Sequence, residues 1–285
     1  MKKLLQNDFK HLESLSSLLE DSNSYYFIPP RFEEIDMTEL ETLGDIHQEN
    51  TITLLSSGST GLPKKIVLSK KKLLLNASMS IKPFVLTKES RVLVIASPWH
   101  VAGFTWALAA EQVGATVQTI IPYVEKLSEI PSLIESFKPT HLFTVPGALR
   151  SFYKEEWFCE EVITGGATLF AEDYLVLKNK CAMLTQAYGQ TEAGGLISFV
   201  RKSVQEFTEK DSGNCGKLPD EFELEFRGEQ NEIWFKSPTT ISDSFYFTGD
   251  VGFFDKNAEL RVTGRLNQGG GNCNSLTGIT MVAHK

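Results

Sequence analysis

The sequence predicts an α/β fold, with mostly parallel sheets and packed helices followed by a smaller antiparallel, β-rich subdomain. Three observations predict it. Short apolar runs, separated by stretches long enough for helices, fill the middle of the chain. After about residue 200 the rhythm shortens to alternating apolar and polar positions between Gly, Asp and Asn turns. With 285 residues, 41% hydrophobic and 22% charged, the composition is that of a globular protein able to bury a sizeable core.

Residues 1–50 carry acidic and polar helix-like patterning, broken at "YYFIPPRF", where Pro29 and Pro30 stop a helix. This part is expected to be an N-terminal extension rather than core. Residues 51–200 form the expected α/β subdomain. Its strands are read at "RVLVIAS" (91–97), "TVQTII" (116–121), "THLFTV" (140–145) and "EEVITGG" (160–166), with a helix in "EKLSEIPSLIESF". Residues 201–265 are the β-rich subdomain, from "FELEFRG", "NEIWFKS", "SFYFTGD" and "ELRVTGR". Residues 266–285 read as a hinge and tail.

Several function classes are disfavoured at this stage. The net charge of −8 argues against a nucleic-acid partner, because phosphate backbones reward basic surfaces. No apolar run reaches the length of a membrane-spanning helix and the N-terminus turns polar too early for a secretory signal, so a cytoplasmic location is expected. Cys159, Cys181, Cys215 and Cys273 form no CxxC pair and no zinc spacing with the five histidines, which leaves them as reduced thiols.

Five stretches carry candidate chemistry. "LLSSGSTGLPKK" (54–65) ends a strand in a Ser/Thr/Gly loop whose backbone N–H groups and hydroxyls suit phosphate oxygens, with Lys64 adding a cation. It is not the P-loop pattern, and an exposed turn is the plain alternative. "QAYGQTEAGG" (186–195) reads as a small flexible turn that places Thr191 and Glu192 together, hard oxygens of the kind a magnesium–phosphate site uses. A merely solvated Glu192 is the alternative there. "YFTGDVGFFD" (246–255) offers Asp250 as an acceptor for a ribose diol, and "TGR" offers Arg265 as a forked donor. "SPWHVAGF" (97–104) sets His100 beside Trp99 in apolar surroundings, where a buried structural histidine is the bland reading.

Taken in order, these stretches resemble the adenylate-forming superfamily of acyl-CoA synthetases, adenylation domains and luciferases. "SSGSTGLPKK" looks like its phosphate loop, "SPWHVAG" like its PxxHxxG segment and "TGGATL" like its adenine-side turn. "YGQTE" looks like its central signature, "YFTGD" like its ribose motif, and "GRLNQ" with "GGN" like its hinge. Among subfamilies the phrasing is most similar to 2-succinylbenzoate-CoA ligases of menaquinone biosynthesis.

The resemblance implies ATP-dependent activation of a carboxylic acid to an acyl-adenylate, then capture by a thiol, with ATP and Mg2+ bound and coenzyme A or a carrier protein as acceptor. Ser57, Ser59, Thr60 and Lys64 would hold the β- and γ-phosphates, Thr191 the α-phosphate, and Glu192 the metal. Gly165, Gly166, Ala167 and Tyr188 would flank adenine, and Asp250 with Arg265 would hold the ribose. His100 would lie on the acyl side, with Trp99 and Gly189 shaping the carboxylate pocket. Lys64, Thr191 and His100 are the implied catalytic set.

Three departures from the family pattern stand out. The phosphate loop comes unusually early, Lys65 replaces a customary glycine, and the chain stops soon after the hinge, short of the C-terminal domain that carries a further lysine. The expectation is therefore a reduced ligase, working alone, with a separate C-terminal domain or as a homo-oligomer. The alternative is a noncatalytic or partner-dependent nucleotide-binding remnant.

Overall fold

A computed structural model describes residues 2–4, 8, 14–30, 50–57, 63–122 and 127–266. Its strands gather into three sheets. The first holds β1 (Lys2–Leu4), β2 (Tyr25–Phe27), β3 (Thr51–Ser57) and β4 (Pro63–Ser69) in that order, with only β3 and β4 antiparallel. The second is built from β5 (Arg91–Ile95), β6 (Thr116–Ile120), β7 (His141–Thr144), β8 (Cys159–Gly165), β9 (Cys181–Gln190) and β10 (Gly195–Ser203), in the order β10-β9-β8-β7-β5-β6. Its pairs are parallel except for β10 on β9. The third is antiparallel: β11 (Asn214–Gly216), β12 (Glu223–Arg227), β13 (Glu232–Lys236), β14 (Tyr246–Phe254) and β15 (Leu260–Arg265), ordered β11-β15-β14-β13-β12. This is the expected α/β arrangement followed by a β-rich part.

Strand periodicity explains why the middle sheet reads as continuous apolar runs. Successive side chains point to opposite faces, and both faces of this sheet are covered. On β5, Val92 and Val94 join a core shared with the first sheet and with helices α1 (Ser17–Glu20), α2 (Lys70–Ile81) and α3 (Val101–Gln112). Leu93 and Ile95 face a second core, under α4 (Ile130–Phe137), α5 (Pro146–Arg150) and α6 (Ala171–Leu177). Helix α3 is buried along nearly its whole length, as an all-round apolar helix must be. A third core, with Ile197, Ile233, Phe235 and Leu260, joins β10 to the third sheet.

The N-terminal part corrects one expectation. Residues 1–50 were to lie outside the core, yet β2 is a paired strand and Tyr25, Tyr26, Phe27 and Ile28 are buried, as are Leu15 and Leu18. The physical reason is the first sheet: β2 supplies the parallel partner that β3 needs on its open edge, and a Phe27 ring packs edge-on against Phe104 of α3. Prolines 29 and 30 end the strand rather than separate the segment from the fold. The stretch "GRLNQGGGN" beyond Leu266, with Cys273, lies outside the described residues.

Cys159, Cys181 and Cys215 are free, buried thiols whose pKa values burial pushes up to about 12. His141, buried at the start of β7, is shifted the other way: burial holds its pKa below the ordinary 6.5, partly opposed by the charge of Glu161. The unfolded chain thus takes up a proton that the folded chain refuses. Stability is complete above pH 6.5 and drains as the pH falls below it. The melting temperature is expected to drop as the pH falls below 6.5, and His141→Gln to flatten that part of the calorimetric profile.

Candidate active site

The carboxyl ends of the parallel strands converge on a set of adjoining cavities, the usual ligand position of α/β sheets. The first, of about 50 Å³, is lined by Gly166, Ala167, Gln186, Tyr188, Cys215 and Asp250 among others. The second, of about 30 Å³, shares Gly166, Tyr188 and Gly189 with it and continues past Gln190 and Thr191 to α3. The third, of about 200 Å³, opens beside Ser97, His100 and Pro146 and meets the first at Gly166 and Ala167.

Asp250 anchors the first cavity. It lies on β14, in register with Arg265 on β15, and is 3% exposed. Its carboxylate accepts from the Tyr188 hydroxyl at 2.7 Å, from Gln190 Nε2 at 2.9 Å and from Arg265 Nε at 2.9 Å. Its own N–H donates to Thr248 Oγ1. Burial, reinforced by the neighbouring carboxylate, drives the Tyr188 pKa well above its ordinary value, so the phenol stays a donor. The result is a fixed carboxylate at a cavity wall beside an aromatic ring and the Gly166–Ala167 backbone.

Across the site, Lys64 of β4 reaches the turn that follows β9. Its Nζ lies 2.7 Å from Glu192 Oε1 and 3.2 Å from the Tyr246 hydroxyl. Desolvation lowers the Lys64 pKa, but the Glu192 contacts outweigh it and the ammonium is held above its ordinary value. Thr191 and Glu192 sit on a 3-10 turn (Thr191–Ala193) closed by Gly194 in the left-handed region. That turn is pinned by Asn76 of α2, fully buried, whose amide nitrogen lies 3.1 Å from Leu196 O and 3.3 Å from Thr239 Oγ1 and whose Oδ1 accepts from Leu196 N at 2.9 Å.

The structure changes the reading of "QAYGQTEAGG". Residues 186–190 are not a flexible turn: they continue β9, paired to β10, and only Thr191–Ala193 turns. Gly189, which suggested a turn, serves close packing instead. A Cβ on Gly189 would stand 2.2 Å from the Gly195 carbonyl oxygen, so β10 can approach only a glycine.

The other implied residues fall as follows. Gly165 and Gly166 follow directly at the end of β8, with Ala167 lining the first and third cavities. His100 caps α3 through its backbone alone and its residue lines the third cavity. Trp99 is 1% exposed, belongs to the first core and is not among the residues lining these cavities. Any influence it has on a carboxylate pocket is exerted through packing. Ser57 ends β3 opposite Pro63, and Lys65 pairs with Leu55; Ser59 and Thr60 lie outside the described residues. Sequence reasoning missed Gln190, Tyr246 and Asn76. Gln190 had a signal, since it shares a strand face with Tyr188 two residues earlier. Asn76 had none, because a polar residue in a helix normally faces water.

Comparisons with known proteins identify the family. The AMP-binding enzyme family model matches residues 16–240. The 4-coumarate--CoA ligase CCL1 of Humulus lupulus is 27% identical, covering 82% of this chain and 50% of its own length. The 4-coumarate--CoA ligase 4 of Arabidopsis thaliana is also 27% identical, over 82% of this chain and 48% of its own. The chain thus spans about half the length of the curated relatives it matches. In fold it is similar to O-succinylbenzoate Coenzyme A synthetase (MenE) from Bacillus subtilis, in complex with ATP and magnesium ion, at a TM-score of 0.67 and 21% identity, over 91% of this chain and 63% of that one. The amide bond synthetase McbA from Marinactinospora thermotolerans superposes at 0.66 with 20% identity, over 88% of this chain and 62% of its own. With the family model matching well over half of the sequence, the chain belongs to the AMP-binding enzyme family.

Proposed function

We propose that this chain binds ATP and activates a carboxylic acid as its acyl-adenylate, with coenzyme A as the expected thiol acceptor. The observation that carries the reading is Asp250, a carboxylate held by Tyr188, Gln190 and Arg265 at the wall of a cavity floored by Gly166 and Ala167. A buried carboxylate held in place by donors suits a ribose diol, while Tyr188 and the glycine turn offer a flat slot for a base.

The phosphates would run from there toward Thr191 and Lys64. Lys64 neutralises charge on them, Thr191 donates from its hydroxyl, and the loop with Ser57, Ser59 and Thr60 adds further donors. Glu192 fits a magnesium ion, because its carboxylate already faces positive charge and magnesium takes one or two protein carboxylates beside substrate phosphates. Bound there, the metal would supply further charge neutralisation. No protein nucleophile is required: the acid's carboxylate attacks the α-phosphorus, pyrophosphate leaves, and in-line positioning does most of the catalysis. His100, on the third cavity, stands on the acyl and thiol side.

The names of similar proteins point to different acids, 4-coumarate for the sequence relatives and O-succinylbenzoate for MenE. Activation is therefore proposed without either acid as a premise. The test is pyrophosphate release over a panel of carboxylic acids that includes 2-succinylbenzoate and 4-coumarate, with and without coenzyme A. Acid-dependent release supports the reading. ATP binding without release supports the alternative, a nucleotide binder that relies on a partner domain, and absence of ATP binding contradicts both.

Lys64→Met separates phosphate from nucleoside recognition. It is expected to weaken ATP binding by about tenfold or more while adenosine binding moves less than about twofold, since only the phosphates meet the lysine. Equal losses for ATP and adenosine would remove Lys64 from the phosphate site.

A further inference from the structure

We infer that Arg150 and Asp173 are positioning residues for the nucleobase: they clamp the turn at residues 166–168 from behind and so fix the wall of the first cavity that a base would meet. The inference rests on the nucleotide reading above and extends it to two side chains that line none of the three cavities.

The turn is poorly held by packing. It leaves β8 at Gly166, whose φ of 80° lies in the left-handed region. Gly166, Ala167 and Thr168 line the first cavity, and Gly166 and Ala167 also line the third. A segment with cavities on two sides lacks close-packed neighbours there, so hydrogen bonds from behind carry more of its position.

Those bonds converge on one carboxylate. Asp173, in the first turn of α6 and 1% exposed, accepts from Arg150 Nε at 2.9 Å and from Arg150 Nη2 at 2.6 Å. It also accepts from the Tyr153 hydroxyl at 2.9 Å and from Phe170 N at 2.8 Å. The same Arg150 Nη2 donates to Thr168 O at 3.2 Å. Arg150 ends α5, so one guanidinium joins the last turn of that helix, the first turn of α6 and the cavity wall that precedes α6. Desolvation alone would raise the Asp173 pKa, but the bonds from Arg150, Phe170 N and Tyr153 outweigh it, and the pair stays charged at neutral pH.

A helix cap accounts for only part of this arrangement. Capping α6 needs the bond from Phe170 N, which Asp173 makes by itself. The Arg150 fork adds a bond two residues earlier, at Thr168 on the cavity wall. Stability is not a sufficient reason either, because a buried ion pair is often no better than an apolar pair of the same volume. What the planar fork supplies is direction. A backbone turn offers N–H and C=O groups to the edge of a base, and it distinguishes one base from another only if those groups are held still.

A second pair of the same make serves as the control. Glu161 of β8, 3% exposed, accepts from Arg201 Nε at 2.9 Å and from Arg201 Nη2 at 2.8 Å, yet neither residue lines any of the three cavities.

The experiment titrates the full chain calorimetrically with ATP and with GTP in magnesium buffer, at a temperature where melts show each variant folded. The wild-type chain is expected to prefer ATP about tenfold or more. Replacing both members of the clamp, Arg150→Leu with Asp173→Leu, is expected to weaken ATP binding about tenfold and to shrink the ATP-to-GTP affinity ratio about fivefold. Glu161→Leu with Arg201→Leu is expected to leave that ratio within about 1.5-fold of the wild type, whatever it does to the melting temperature. Arg150→Lys keeps a charge beside Asp173 but loses the fork, and is expected to shrink the ratio about threefold. Its site is 35% exposed on the arginine side, so it decides the matter if the double replacement fails to fold. An unmoved ratio in a folded clamp variant overturns the inference, as does an equal change in the control pair. A wild-type chain that binds ATP and GTP alike overturns it too, while leaving the nucleotide reading in place. If the wild-type chain binds neither, the nucleotide reading falls and takes this inference with it.

Discussion

Asp250→Ala is expected to weaken binding of ATP and AMP alike by about 1.5–3 kcal/mol, roughly tenfold to 150-fold, because hydrogen bonds to a charged group contribute about that much. The effect on nucleoside binding separates it from Lys64→Met, which acts on phosphates. The variant also loses stability. Tyr188 and Gln190 are buried donors that share Asp250, and each orphaned donor costs on the order of 1–3 kcal/mol, although Gln190 keeps Thr248 O as a second acceptor at 2.8 Å. Arg265 is 39% exposed and its guanidinium can turn to water, so it adds little. Binding is therefore to be measured at a temperature where melts show the variant folded. An unchanged dissociation constant would remove Asp250 from the ribose position.

Asn76→Ala should produce the second large effect, and it acts without touching ligand. The Asn76 side chain meets Ala193 O, Leu196 O, Leu196 N and Thr239 Oγ1, tying α2 to the turn that carries Thr191 and Glu192. Thr239 holds the same turn through Ala193 O at 2.6 Å, so the turn does not come free entirely. The expected loss is about 2–4 kcal/mol of stability, a fall in melting temperature of roughly 5–15 °C for a domain of this size. Affinity for ATP should fall further than affinity for adenosine, since the loosened turn carries Thr191 and Glu192, the residues proposed for the phosphates and the metal. Scanning calorimetry and parallel titrations check both. A melting temperature within about 2 °C of the wild type would show that the network contributes little.

Much of the fold was legible because local pattern and tertiary role coincide. The runs at 91–97, 140–145 and 160–166 became the largely buried parallel strands β5, β7 and β8, and the run at 116–121 became the half-buried edge strand β6, each within a residue or two. The alternating segments after residue 220 became β12 to β15 for the matching reason, one face on a core and one on water. The failures occurred where a residue's role is set from a distance. Tyr25–Ile28 read as an interrupted helix because the partner strand β3 lies far along the chain. Gly189 read as a turn glycine because no local signal separates a turn from a strand that must admit another backbone at close range. In the site, Asp250, Arg265, Lys64 and Glu192 were visible as motif residues, but their pairings were not. The Lys64–Glu192 contact spans 128 positions and joins the first sheet to the end of the second. Trp106, which lines the second cavity from α3, gave no sign of it, since an aromatic in an apolar helix reads as plain core.

The most direct test of the nucleotide site is a calorimetric titration of the full chain with ATP in magnesium buffer, run beside Asp250→Ala. Saturable one-to-one binding to the wild-type chain, weakened about tenfold or more in the folded variant, is the expected result. No binding to the wild-type chain, or the same dissociation constant in both proteins, would contradict the assignment of Asp250 and its neighbours to a nucleotide.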